Sequence, residues 1–273
     1  TTTLTQSGTY TLLVESRSFT PGAATFTINV QPVLETTPET LTLGVATNGS
    51  IKNIGETAVY TFTLSDRSLL YFDALLSSTS DFSFTVSLVG PTGTNQLASP
   101  FFSRADTLID AVAGTYTLIV SGNGDSTGTF DFKLSTFEQA ASLTPGTPVD
   151  GELKPATTDL YRFEGAEGDS FFIDLSNLFS GVLEDFRVID PFGNEVERSV
   201  FTSRITLPLT GTYTLLVEGT NFGTTPSAYT LNVQPVADIT QALTVGETTS
   251  GSIGTSAQEA IYSFTLNERS LLF

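Results

Sequence analysis

The 273-residue sequence contains no Cys, His, Met or Trp. Without Cys it has no disulfides, no thiol nucleophile and no thiolate metal site. Without His it lacks the commonest general acid–base group and the commonest transition-metal ligand. A Ser-His-Asp triad is therefore impossible. Positive charge is also scarce, with 11 Lys and Arg against 29 Asp and Glu and a net charge of −18. Nucleic acid and anionic lipid surfaces both require clustered cations, so neither is expected as a partner. No apolar run approaches the roughly 20 residues of a membrane-spanning helix, so no membrane insertion is expected. Carboxylates are plentiful, but nothing in their spacing selects a catalytic pair. The sequence therefore reads as that of a protein that is not an enzyme. The acidic excess suits mutual repulsion and solubility, and it suits hard cations such as Ca²⁺.

What is present is repetition. Ser7-Gly8-Thr9-Tyr10-Thr11-Leu12-Leu13-Val14-Glu15 returns almost unchanged as Thr210-Gly211-Thr212-Tyr213-Thr214-Leu215-Leu216-Val217-Glu218. Gln31-Pro32-Val33 returns as Gln234-Pro235-Val236, and Arg67-Ser68-Leu69-Leu70 as Arg269-Ser270-Leu271-Leu272. A weaker repeat lies inside this one. Gly114-Thr115-Tyr116 falls between the two strong copies, and Tyr60-Thr61-Phe62 is echoed by Tyr161-Arg162-Phe163. Fixed-period self-similarity marks an array of folded units. The unit is about 100 residues, an ordinary domain size, and two diverged types, A and B, alternate. The expected division is 1–34 as the C-terminal part of a B-type unit, 35–137 as a complete A-type unit, 138–236 as a complete B-type unit and 237–273 as the N-terminal part of an A-type unit. Junctions are expected near Gln31-Pro32, Thr136–Ala141 and Gln234-Pro235. The repeat phase, and the apolar strand reached at Leu271-Leu272-Phe273, predict a window on a longer polypeptide. Strand sharing between neighbouring molecules is the alternative.

Apolar residues alternate with period two almost throughout. Tyr60, Phe62 and Leu64 alternate with Thr61 and Thr63, and Phe82, Phe84, Val86 and Leu88 with Ser83, Thr85 and Ser87. Such alternation marks antiparallel strands with one face on a core and the other in water. Turn sequences such as Gly90-Pro91, Pro145-Gly146 and Pro191-Phe192-Gly193 separate the runs. No convincing helix of ten residues is present. The expected fold is all-β: tandem antiparallel jelly-roll-like β-sandwiches of seven to nine strands each.

In motif order the units resemble the bacterial pre-peptidase C-terminal domain family, a jelly-roll-like sandwich. Gly49, Gly151 and Gly251 each precede a Tyr-x-Phe strand, at Tyr60, Tyr161 and Tyr262. Glu167–Asp174 matches the family's Gly-rich turn followed by a strand ending near Asp, and Asp190-Pro191-Phe192-Gly193 its Asp-Pro-x-Gly turn. The closing Gly-Thr-Tyr strand occurs at Gly8, Gly114 and Gly211. The resemblance implies an extracellular, non-catalytic accessory module; some members of the family bind calcium or an insoluble substrate. Tandem modules with no protease sequence depart from the family's usual arrangement and favour a structural or adhesive role.

Candidate sites are few. Asp73 and Asp174 occupy equivalent strand positions among apolar neighbours, with Asp81 and Asp185 nearby in sequence and Asp190 in a turn. Carboxylates converging at one end of a sandwich could hold Ca²⁺, so Asp73, Asp174, Asp185 and Asp190 are the calcium candidates. Salt bridges and turn formation are the plainer roles for the same residues. The repeated Arg67, Arg104 and Arg204 are expected to pair with carboxylates. The Gly-Thr-Tyr tyrosines are expected to enter the core with the hydroxyl bonded at the rim, and 122–128 reads as a hairpin tip. The sequence thus predicts a structural repeat segment of a secreted or cell-surface, bacterial-type protein. Its partners would be neighbouring copies of the repeat or filament subunits. Calcium- or polysaccharide-binding accessory modules are the alternative.

Overall fold

The computed structural model describes residues 7–15, 25–30, 36–75, 84–98, 106–177, 183–200, 202–220 and 225–269. The junction at Gln31-Pro32, the candidates Asp81 and Arg104, and Leu271–Phe273 lie outside the described residues.

The chain folds as two antiparallel β-sandwiches in tandem. In the first, the strands in chain order are β1 (Glu39–Thr40), β2 (Ala46–Ile51), β3 (Thr57–Leu64), β4 (Ser68–Ala74), β5 (Phe84–Gly90), β6 (Gly93–Ala98), β7 (Thr107–Ala111), β8 (Gly114–Gly122) and β9 (Gly128–Thr136). They form a five-stranded sheet, β1-β3-β8-β5-β6, over a four-stranded sheet, β2-β9-β4-β7. Strands β2 to β9 in this order are an eight-stranded jelly roll, with β1 added parallel to β3.

The second sandwich repeats the plan with β10 (Ala141–Ser142), β11 (Val149–Leu153), β12 (Thr158–Gly165), β13 (Ser170–Ser176), β14 (Leu183–Ile189), β15 (Glu195–Ser199), β16 (Thr202–Thr206), β17 (Gly211–Gly219) and β18 (Ser227–Pro235). Its sheets are β10-β12-β17-β14-β15 and β11-β18-β13-β16. One turn of 3-10 helix, Phe137–Gln139, links β9 to β10. Beyond β18, β19 (Ile239–Ala242) pairs in parallel with β20 (Ala260–Ser263), as β10 pairs with β12.

Period-two alternation places the cores. Tyr60, Phe62, Phe84, Leu88, Tyr116, Leu118, Phe130 and Phe132 meet between the sheets of the first sandwich. Their counterparts Tyr161, Phe163, Phe186, Tyr213, Leu215 and Tyr229 do so in the second. The Gly-Thr-Tyr motif has a local cause. Gly114 and Gly211 have φ of +145° and +156°, and a Cβ there would come within 2.5 and 2.6 Å of the Pro91 and Pro191 Cγ atoms. Tyr116 and Tyr213 then enter the core, and each hydroxyl donates to a carbonyl four residues back, Val112 at 2.8 Å and Leu209 at 2.7 Å.

Residues 7–15 and 25–30, matched in sequence to β17 and β18, form no strand among the described residues. Tyr10, Leu12, Leu13, Phe26 and Val30 are exposed. In the second sandwich β17 and β18 are held by β12, β14, β11 and β13. Among the described residues no strand pairs with 7–15 or 25–30.

Candidate functional site

Strand β4 sends Leu70, Phe72 and Ala74 into the first core. Alternation turns Leu69, Tyr71 and Asp73 to the opposite face, where water would be expected. Yet Tyr71 is 0% and Asp73 1% exposed. The second sandwich covers them. Tyr71, Phe137, Ile189 and Leu216 form a separate apolar cluster, with Leu69, Leu108 and Leu160 packed against it. The four-stranded sheet of the first sandwich therefore stacks on the five-stranded sheet of the second, and the linker's Phe137 seals the contact.

A polar network lies within this joint. The Tyr71 hydroxyl donates to Glu218 Oε1 at 2.6 Å, and Arg187 grips the same carboxylate through Nε at 2.8 Å and Nη2 at 2.5 Å. The Arg187 Nη2 also donates to the Tyr71 oxygen at 3.3 Å, and its guanidinium lies 5.8 Å from the Tyr71 ring centroid. Nearby, the Thr158 N–H donates to Asp73 Oδ2 at 3.1 Å, with Lys133 Nζ 3.7 Å from the same oxygen. Lys133 donates in turn to the Thr158 carbonyl at 3.3 Å. A planar guanidinium matched to a carboxylate is the arrangement best suited to holding charge out of water.

Burial and charge oppose each other here. Burial raises the pKa of Glu218, but the Arg187 guanidinium and the hydrogen bonds with Asp185 and Tyr71 together outweigh it, and the net direction is down. For Asp73 burial dominates and the Asp106 carboxylate adds to it, against Lys133 and the Thr158 N–H; the carboxyl is pushed up to about 8. Burial, Asp106 and Glu218 push the Tyr71 hydroxyl upward, so it remains a donor. Most donors and acceptors of this network meet one another across the joint, but the buried Asp73 Oδ1 has no hydrogen-bond partner among the described residues. The arrangement can fix one sandwich against the next.

Beside the joint opens a cleft of about 370 Å³, lined by Arg67, Leu69, Asp110, Phe137, Arg162 and Phe192 among others. Arg67 and Asp110 form a two-pronged pair across its wall at 2.7 and 2.5 Å, and Phe192 is 65% exposed.

The structure does not bring the four candidate calcium ligands together. Asp73 belongs to the joint. Asp174 lies on β13, between Thr202 and Asn232 of the neighbouring strands. Asp185 accepts from Arg198 Nη1 at 2.9 Å. Asp190 closes the turn after β14, accepting the Phe192 and Asn194 N–H groups at 2.8 Å each. Among the described residues no three acidic side chains are arranged to hold a metal ion. The expected convergence fails for a geometric reason. Asp73 and Asp174 sit on four-stranded sheets, whereas Asp185 and Asp190 lie at opposite ends of β14 in a five-stranded one.

Sequence reasoning missed Arg187, Glu218, Lys133, Thr158 and Tyr71. A signal for the joint existed. The runs Leu69-Leu70-Tyr71-Phe72 and Leu215-Leu216-Val217 are apolar without alternation, the pattern of strands covered on both faces. In β17 seven consecutive residues are buried.

No family model matches the chain, and no curated protein matches it. Solved structures that are similar include the CUB1-EGF-CUB2 domains of rat MASP-1, at 10% identity and a TM-score of 0.26, covering 72% of this chain and 100% of that one. Tandem CBM51 modules of a family 98 glycoside hydrolase from Streptococcus pneumoniae are 11% identical at a TM-score of 0.23, covering 66% of this chain and 82% of that one. The secreted serine protease VesC from Vibrio cholerae is 14% identical at 0.22, covering 68% and 48%. At such TM-scores none of the three bears on what this chain does.

Proposed function

We propose that the chain is a stretch of a non-catalytic spacer, in which sandwich units stack rigidly along a secreted or cell-surface protein of bacterial type. The observation that carries this reading is the covered outer face of β4. A tyrosine and an aspartate that would be solvated on an isolated sandwich are excluded from water by the next unit. Units tethered only by a flexible linker would keep such faces polar. The alternating repeat, the acidic surface and the motif resemblance to pre-peptidase C-terminal modules support an extended array outside the cell. Neighbouring units, in the same chain or in a filament, are its partners.

Small-angle scattering of the chain, read beside electron micrographs, tests this. The expected result is one elongated particle with a fixed angle between the sandwiches. Particles in which the two sandwiches reorient freely would overturn it.

A second reading, a polysaccharide-binding accessory module, draws on the cleft beside the joint, where an exposed aromatic stands near paired Arg and Asp side chains. Binding on a glycan array that Phe192→Ala abolishes would favour it. An array with no signal would remove it.

A further inference from the structure

The sequence contains two Asn-Gly steps, Asn48-Gly49 and Asn123-Gly124, and one Asp-Gly step, Asp150-Gly151. At such steps the side-chain carbonyl carbon and the next backbone nitrogen can react with each other, because glycine has no Cβ to block the approach. The fold places the three differently.

Asn48 and Asp150 hold equivalent places on β2 and β11. Both steps lie in ladders. Asn48 pairs with Asp131 and Gly49 with Phe130; Asp150 pairs with Thr230 and Gly151 with Tyr229. Both side chains are engaged across the strand. Asn48 Nδ2 donates to Asp131 Oδ1 at 2.5 Å, and Thr230 Oγ1 donates to Asp150 Oδ1 at 2.7 Å. Aromatic rings fill the space over the glycines, Phe130 over Gly49 and Tyr229 over Gly151. Closing a succinimide ring there would bend an extended backbone that its partner strand holds straight.

Asn123 is placed otherwise. It lies between β8 and β9, which do not pair with each other: β8 is held by β3 and β5, and β9 by β2 and β4. Residues 123–127 therefore form an arch from one sheet to the other, not the expected hairpin tip. Asn123, Gly124 and Asp125 are exposed. Among the described residues no hydrogen bond engages the Asn123 side chain. The turn is closed by backbone, with the Ser126 N–H donating to the Asn123 carbonyl at 3.1 Å. Gly124 has a φ of +59°, and nothing stands within 4 Å of where its Cβ would be.

We propose that Asn123-Gly124 is a self-modifying site, at which the folded chain converts asparagine to aspartate or isoaspartate as it ages. The Gly124 nitrogen attacks the Asn123 side-chain amide carbon. A nitrogen–carbon bond forms, the bond to the amide nitrogen breaks, and ammonia leaves carrying the Gly124 proton. Water then opens the succinimide. Its hydroxyl stays on carbon and its proton returns to the Gly124 nitrogen. Opening at the side-chain carbonyl gives aspartate. Opening at the backbone carbonyl gives isoaspartate, with the chain now running through the former side chain. Either product adds a negative charge to a chain already at −18. An exposed turn with few contacts reaches the attacking geometry at little cost, and a paired strand does not. The arch can absorb the change because its two strands are anchored in different sheets. What isoaspartate disturbs is the bond from Ser126 to Asn123. Between β17 and β18 the sequence has Asn221-Phe222 instead, where a bulky side chain shields the nitrogen. The site thus belongs to the A-type unit.

The test holds the full chain at mildly alkaline pH and maps its peptides by mass spectrometry over time. Asn123 should convert at least tenfold faster than Asn48 in the folded chain, and the two should convert at comparable rates in urea. The Ser126 amide should lose protection from hydrogen exchange as isoaspartate accumulates, while the centres of β8 and β9 keep theirs. Asn123→Gln should remove the acidic species that isoelectric focusing resolves in the aged parent. Asn48 converting as fast as Asn123 in the folded chain, an Asn123 that persists while the unfolded chain converts, or an acidic species that survives Asn123→Gln would overturn the proposal. None of these outcomes depends on the spacer reading.

Discussion

The Tyr71 hydroxyl and the Glu218 carboxylate meet at 2.6 Å, although 147 positions and a sandwich boundary separate them in the chain. Both are buried, and Arg187 holds the other side of the carboxylate. Hydrogen bonds to a charged group contribute about 1.5–3 kcal/mol. Tyr71→Phe keeps the ring in the apolar cluster and removes this bond, together with the longer contacts of the hydroxyl at 3.3 Å with Arg187 Nη2 and Thr158 Oγ1. The two sandwiches should then lose about that much of their coupling. Calorimetry should show the melting of the sandwiches drawing apart, with little change in the secondary structure of either. An endotherm identical to that of the parent would show that the bond couples nothing.

Asp73 makes the joint sensitive to pH, and the sign follows from its direction of shift. Burial, with Asp106 adding, pushes its carboxyl up to about 8, while Lys133 and the Thr158 N–H oppose this. An unfolded chain titrates Asp near 3.9. The folded form therefore holds the extra proton between about pH 4 and pH 8, and stability must fall as pH rises through that window. Asp73→Asn keeps an acceptor for the Thr158 N–H and cannot titrate. Its urea midpoint should decline less between pH 4.5 and 8 than that of the parent chain. Glu218 is shifted down and acts in the opposite sense in both proteins, so the difference between the two profiles isolates Asp73. Parallel profiles would refute the assignment.

The legible and illegible parts of this sequence divide on physical lines. Alternation in Tyr60-Thr61-Phe62-Thr63-Leu64 reports one covered face, and the core contains those apolar residues. The Gly-Thr-Tyr repeats report a turn packed on a proline and a tyrosine bonded back to it, which is local chemistry. The joint is not local. Arg187 and Glu218 stand opposite Leu216 and Thr158 on a sheet face that is ordinarily solvated. A charged residue on a strand reads as surface until another sandwich is placed over it. Asp73 illustrates the ambiguity most sharply. A carboxylate among apolar neighbours signals unusual burial, and the same signal fits a metal ligand and a residue facing the next unit. Only tertiary placement decides between them.

The glycine before each Tyr-x-Phe strand answers to space. A Cβ on Gly151 would lie 2.3 Å from Tyr229 Cζ and 2.5 Å from its hydroxyl. That ring cannot swing aside freely, since its hydroxyl is bound to Tyr161 at 2.6 Å and to Asp159 at 2.7 Å. Gly151→Ala should therefore destabilise the second sandwich by about 1–3 kcal/mol, the range for overfilling a packed core. The midpoint of urea unfolding, followed by tyrosine fluorescence, measures it. An unshifted midpoint would mean that the sheet moves away at no cost.

The two core tyrosines of the Gly-Thr-Tyr motif allow a comparison within one molecule. The Tyr213 hydroxyl both donates to the Leu209 carbonyl at 2.7 Å and accepts the Leu209 N–H at 3.1 Å. The Tyr116 hydroxyl donates to the Val112 carbonyl at 2.8 Å, and no second bond to it is found among the described residues. Removing either hydroxyl leaves the ring and its packing in place. Each net hydrogen bond contributes about 0.5–1.5 kcal/mol. Tyr213→Phe should then cost roughly twice what Tyr116→Phe costs, and the loss should appear in the second sandwich rather than the first. Hydrogen exchange resolved by sandwich measures both losses in one experiment. Equal costs would mean that the Leu209 N–H finds water as readily as it found the phenol, and that the motif is held by its ring alone.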